Sequence, residues 1–168
     1  MAHALVEQLR FTRSEWTRGL QDVDAEDARR RCGRLNAISW MIGHLAWHEQ
    51  LNWFRLAQGT TPIPELGAYG FGKPASEPPP DEMWDAWRRI TAMSDPWLDD
   101  LTAERMSDYL AGDARREEDI GTRLLRINYH YWFHLGEALA LRQLLAGESQ
   151  HPLPEFVGSM AAAPWRPG

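Results

Sequence analysis

Residues 59–80, GTTPIPELGAYGFGKPASEPPP, hold six of the chain's eleven prolines and four glycines. No regular helix survives that density of either residue. The segment therefore divides the chain into two helical stretches and governs how they connect. Fully extended it reaches roughly 70 Å, whereas a 20-residue helix is about 30 Å long. It is long enough to bring the chain back to the far end of the preceding helix, so that the helices on either side of it run parallel. Connections this long without structure are uncommon in compact domains and are usually functional or topological.

On both sides of the segment, apolar residues recur with helical periodicity. A first helix is predicted over about residues 3–21, with Leu5, Leu9, Trp16 and Leu20 on one stripe. The charged run DVDAEDARRR separates it from a second, expected to start near Asn36 as N-cap and to stop at Gly59. A third begins after PPP with Asp81 near its N-terminus and presents Met83, Trp87, Ile90, Trp97 and Leu101; Pro96 should kink or break it. A fourth is expected from Glu118 to Ala146, stopping at Gly147. No strand and no internal repeat is evident. The reading is an all-α protein, a four-helix bundle of up-down-down-up order with residues 59–80 as the crossover.

A chain of 168 residues suits one domain. The four prolines of residues 148–168 exclude a long helix there, and Leu153, Phe156, Val157 and Trp165 point to an extended tail packed on the surface, over a pocket or on a partner. A net charge of −6 argues against nucleic acid or anionic lipid as main partner, since both call for a basic patch. The N-terminus carries charge too early for a signal peptide, and no apolar run is long enough to cross a bilayer, so a cytoplasmic protein is expected. The single cysteine, Cys32, excludes an internal disulfide and a CxxC site, and reads as a partly buried, inert thiol. Nine tryptophans are read mainly as core or interface filling, including Trp84 and Trp87 on one helix face and Trp47 and Trp53 around a histidine pair.

Four of six histidines form two HxxxH pairs, His44/His48 on the second helix and His130/His134 on the fourth. Residues four apart share a helix face. Two imidazoles at that spacing chelate one metal ion, and a third from a facing helix completes a set that leaves a position open. His130 and His134 lie on a stripe with Ile127, Ala138 and Leu141, with Glu137 on the same side. Buried imidazoles need partners. Gly43 and Gly136 sit beside the histidines, where helical glycine costs about 1 kcal/mol relative to alanine, and suggest close backbone approach or room for a ligand. Spacing leaves the ligand set open: His48 competes with His44, and is alternatively a fourth ligand, a proton-transfer group or a surface residue. His3 and His151 receive no role. A metal-free bundle with hydrogen-bonded core histidines is a further reading.

NAISWMIGHLAWHEQ, followed much later by YHYWFHLGEALALRQLL, resembles the DinB/YfiT-like superfamily, bacterial bundles related to mycothiol-dependent maleylpyruvate isomerase and bacillithiol transferases. The likeness includes the long loop after the second helix and the closing LPEFVG…APWRP. It implies one histidine from the second helix and an HxxxH from the fourth, here His44, His130 and His134, holding a divalent zinc, nickel or iron ion. It also implies an open position for water or substrate, a frequent homodimer, and often a low-molecular-weight thiol such as mycothiol or bacillithiol as cofactor.

The functional expectation is a metal-dependent thiol transferase or related enzyme acting on a small molecule. His48 and Glu49 are the catalytic acid/base candidates, Glu137 a residue that orients a ligand histidine, and Arg123 and Arg126 candidates for binding an anionic cofactor or substrate. The alternative is a non-catalytic metal- or ligand-binding stress-response bundle, marked by a closed four-histidine site.

Overall fold

The computed structural model describes residues 2–146. The expectations for the tail, for Gly147 and for His151 lie outside these residues. Within them the fold is all-α: a single isolated bridge between Tyr109 and Asp119 is the sole β-type pairing among the described residues.

Helix α1 spans Ala4–Leu20 and buries Val6, Leu9, Trp16 and Leu20. His3, given no role above, is its N-cap: the imidazole Nδ1 accepts from the Leu5 N–H at 3.2 Å. The charged run after α1 is not only a linker, because it forms the short helix α2, Ala25–Arg29, capped by the Asp24 carboxylate.

Helix α3 spans Ile38–Gln50. Its N-cap is Ala37 rather than Asn36, and no side chain caps it. It continues as a π-helical turn, Leu51–Leu56, and ends as expected at Gly59, whose positive φ of 69° suits glycine. π-turns shift the helical register and leave carbonyls needing new donors. Here the Leu56 carbonyl accepts from the Gly112 N–H at 2.7 Å, and the His48 carbonyl accepts from the Asn52 amide at 2.8 Å.

The proline-rich crossover is ordered. Its centre is a 3₁₀ turn, Pro64–Tyr69, with Leu66 buried. The Gln50 side chain clamps the loop on α3 through two bonds to the Ile63 backbone: Oε1 accepts from the N–H at 2.6 Å, and Nε2 donates to the carbonyl at 2.9 Å.

Helix α4 spans Pro80–Asp99 and runs through Pro96, so of the expected kink or break the break does not occur. Proline removes one hydrogen bond, and here neighbouring packing holds the last turn: Ser94 and Leu98 are fully buried, and Trp97 stacks on Trp53 at 5.3 Å between ring centroids. Helix α5 spans Ile120–Ala146, starting two residues after the expected Glu118, with the Asp119 carboxylate accepting from the Thr122 N–H at 2.7 Å.

Contacts between the long helices fix their relative directions. Thr12 bonds Asn128, and a Cβ on Gly19 would meet Leu135 and Leu139, so α1 and α5 ascend together. Gly43 approaches Met83, and Trp53 meets Trp97, so α3 and α4 also ascend together. His44 meets His134 while Asn52 meets Arg123, so α3 and α5 run oppositely. Arg10 pairs with Asp99 while Trp16 meets Trp84, and α1 and α4 are likewise antiparallel. No helix among the described residues is long and apolar enough to cross a membrane.

At the centre lies a charged knot. Glu49 is fully buried and accepts from Arg13 Nε at 2.8 Å, Arg13 Nη2 at 2.6 Å, Trp53 Nε1 at 2.8 Å and the Tyr131 hydroxyl at 2.8 Å. Arg13 also donates to Asp95 at 2.9 Å and to Ser94 at 3.0 Å, and Tyr131 accepts from Trp87 Nε1 at 2.7 Å. The knot ties α1, α3, α4 and α5 together. Since Glu49 and Tyr131 directly follow His48 and His130, it also sets the rotation at which both helices present their histidines.

Candidate metal centre

His44 on α3 and His130 and His134 on α5 bring one ligand nitrogen each to within 4.8 Å of one another. His130 Nε2 stands 3.2 Å from His44 Nε2 and 3.0 Å from His134 Nε2. Two imidazole nitrogens on one tetrahedral ion with bonds of 2.0–2.1 Å are about 3.3 Å apart, so the spacing suits a shared ion.

The outer nitrogens show which tautomers are present. His44 Nδ1 faces the Tyr69 carbonyl at 2.6 Å, and His134 Nδ1 faces the Glu137 carboxylate at 2.8 Å. Both partners only accept, so both Nδ1 atoms carry the hydrogen and donate. A ring with its single hydrogen on Nδ1 directs a bare Nε2 lone pair inward. His130 Nδ1 pairs with His48 Nδ1 at 3.1 Å, where one ring donates and the other accepts. With His130 as donor, three lone pairs converge, an arrangement that a cation satisfies. Carbonyl or carboxylate partners on the outer nitrogen are the usual way proteins orient metal-binding histidines.

Burial keeps His44, His48 and His130 neutral. Desolvation pushes His44 down to about 4, opposed by the Tyr69 hydrogen bond, and pushes His48 to about 3. It pushes His130 to about 2, reinforced by the neighbouring histidines and Arg126. His44 is also sandwiched within its own helix, with Trp40 at 4.8 Å and 12° and Trp47 at 5.4 Å and 26°.

His44 and His130 open onto a cavity of about 480 Å³ walled by Trp47, Leu51, Phe71 and Phe133, with Arg126 and His48 also on its lining. That volume falls in the range of small-molecule sites. Residues 4–138 match the family model of the DinB superfamily. The chain is a member of the DinB superfamily. No curated protein matches it.

The other residues singled out in this DinB chain separate. His48 lines the cavity, and its Nδ1 is turned to the outer nitrogen of His130. Glu49, the other acid/base candidate, has its carboxylate engaged in the core knot and does not line the cavity. Arg123 is held by Asp113 at 2.7 Å and Asn52 at 3.0 Å, away from the cavity lining, whereas Arg126 is exposed on that lining and bonds Glu118. Cys32 is exposed, not partly buried, and is absent from the cavity wall. A Cβ on Gly43 would press on Met83 and Tyr69, so close approach is real there; one on Gly136 would meet nothing within 4 Å, so close approach does not account for that glycine.

Tyr69 was missed because it contributes a backbone carbonyl, which no residue type advertises. The Trp40–His44–Trp47 sandwich was legible, since positions four before and three after share the face of His44.

Proposed function

We propose that the chain binds one divalent ion, zinc, nickel or iron, through His44, His130 and His134, and works as a metal-dependent S-transferase using a low-molecular-weight thiol of the mycothiol or bacillithiol kind. The observation carrying the reading is the convergence of three Nε2 atoms whose outer nitrogens are each already engaged. When bound, such an ion lowers the pKa of a coordinated thiol or water and yields a nucleophile at neutral pH. The chain's own residues supply the rest. Tyr69 and Glu137 hold two rings in the metal-ready tautomer, and His48 holds the third.

The alternative, a non-catalytic binding bundle, would be favoured by four histidines closing the site. His48 instead faces the outer nitrogen of His130, which supports an open position toward the cavity. The reading includes an up-down-down-up four-helix bundle, supported by the helix directions above, and a cytoplasmic homodimer. Leu125, Tyr129 and Leu144, exposed along α5, offer apolar surface for the second subunit.

The test is metal analysis after reconstitution. Wild type should hold about one ion per chain, His48→Ala should retain it, and His130→Ala/His134→Ala should lose it. A folded wild type that takes up no stoichiometric metal sinks the proposal.

A further inference from the structure

The cavity above the histidines carries a second kind of chemistry that the metal does not explain. Three aromatic side chains, Trp47, Phe71 and Phe133, wall it. Phe71 and Phe133 remain 90% and 67% exposed, unusual for two large apolar rings at the mouth of one polar site. Among the described residues no acidic side chain lines the cavity, while Arg126 does. Glu118 engages only Nη2 of Arg126, leaving further guanidinium donors available. The histidines add no negative charge, so an anionic group entering here meets a guanidinium paired through one nitrogen with Glu118, and no carboxylate among the described residues of the wall.

We propose that this cavity binds a flat aromatic carboxylate, its ring between Phe71 and Phe133 and its carboxylate on Arg126. This rests on the proposed use of the cavity as a substrate site. Aromatic walls favour a planar apolar body through stacked or edge contacts. A guanidinium recognises a carboxylate through paired, charge-assisted hydrogen bonds. Carboxylate capture at Arg126 leaves the position above the three Nε2 atoms for a thiol, so the two ligands do not compete for one point.

The probe is 2-naphthoate, titrated by calorimetry into wild type, R126Q, F133A and the H130A/H134A double variant, with 2-naphthalenemethanol as its uncharged counterpart. Arg126 and Phe133 are exposed, so neither substitution disturbs the core. Wild type should bind naphthoate saturably and the alcohol about tenfold or more weaker; R126Q should lose about tenfold for naphthoate alone, the effect of removing a charged hydrogen bond. F133A should weaken both probes by about fivefold. The double variant should keep naphthoate binding, which separates this inference from the metal reading: binding there without metal uptake in wild type would overturn only the latter. Equal naphthoate affinity in wild type and R126Q overturns the proposal. So does an F133A variant whose oligomeric state changes while its naphthoate affinity does not, since the rings would then serve a second copy of the chain.

Discussion

A Cβ placed on Gly43 would stand 2.7 Å from Met83 Sδ and 2.9 Å from Tyr69 Cδ2. The thioether can swing aside, but the Tyr69 ring belongs to the residue whose carbonyl holds His44. Gly43→Ala should therefore destabilise by about 1–3 kcal/mol, as overpacking does, and should weaken metal uptake by displacing that carbonyl. Gly136 is also helical, but it is exposed and a Cβ would meet nothing within 4 Å. Gly136→Ala should instead stabilise by roughly 0.5–1 kcal/mol through helix propensity alone. Urea unfolding of the two variants decides the matter, and a shift of the same sign in both would refute the distinction.

Among the elements, the four long helices are joined by the Arg13–Glu49 knot more specifically than by apolar contact. Glu49 takes four donors from three helices, and burial pushes the Tyr131 hydroxyl far above its ordinary range, so it stays protonated and donates. Removing one partner of a buried ion pair leaves the other charge uncompensated, which costs about 3–5 kcal/mol. Glu49→Ala should show a loss of that size in chemical denaturation. Tyr131→Phe removes one bond to the carboxylate and one acceptor for Trp87, and should cost a smaller amount, about 1–3 kcal/mol. A Glu49→Ala protein about as stable as wild type would mean that the knot sets helix rotation without stabilising the fold. The π-turn after α3 belongs to this scale too: Gly112 closes on the Leu56 carbonyl because a side chain there would come within 2.9 Å of that oxygen.

For the whole molecule, the buried histidines tie stability to pH. In the metal-free protein His44 and His48 are held at about 4 and 3, below the ordinary 6.5. Above pH 6.5 both states leave these rings neutral, and they give no slope. Below it the unfolded chain takes up protons that the folded chain refuses, so the stability these rings allow is lost as pH falls from 6.5 toward about 4. Metal-stripped protein should unfold at progressively lower urea between pH 6.5 and 5, a range above carboxylate titration, and His48→Leu should flatten that dependence. A constant urea midpoint across that range would show that the rings are protonated in the native state.

The sequence by itself determined the all-α class and the approximate ends of the long helices, because apolar periodicity, prolines and glycines act within a few residues of where they stand. It also determined that His130 and His134 share a face, since a spacing of four is a property of one helix. Tertiary structure decided what depends on the rotation of one helix against another. It placed His44 Nε2 in the inner cluster and turned His48 to the outer nitrogen of His130. It sent the Glu49 carboxylate into the core, brought the Tyr69 carbonyl to His44, and left Gly136 open where Gly43 is tightly packed. Residues one position apart on a helix point about 100° apart. Long-range packing alone therefore selects which of His48 and Glu49 faces the cavity and which the core.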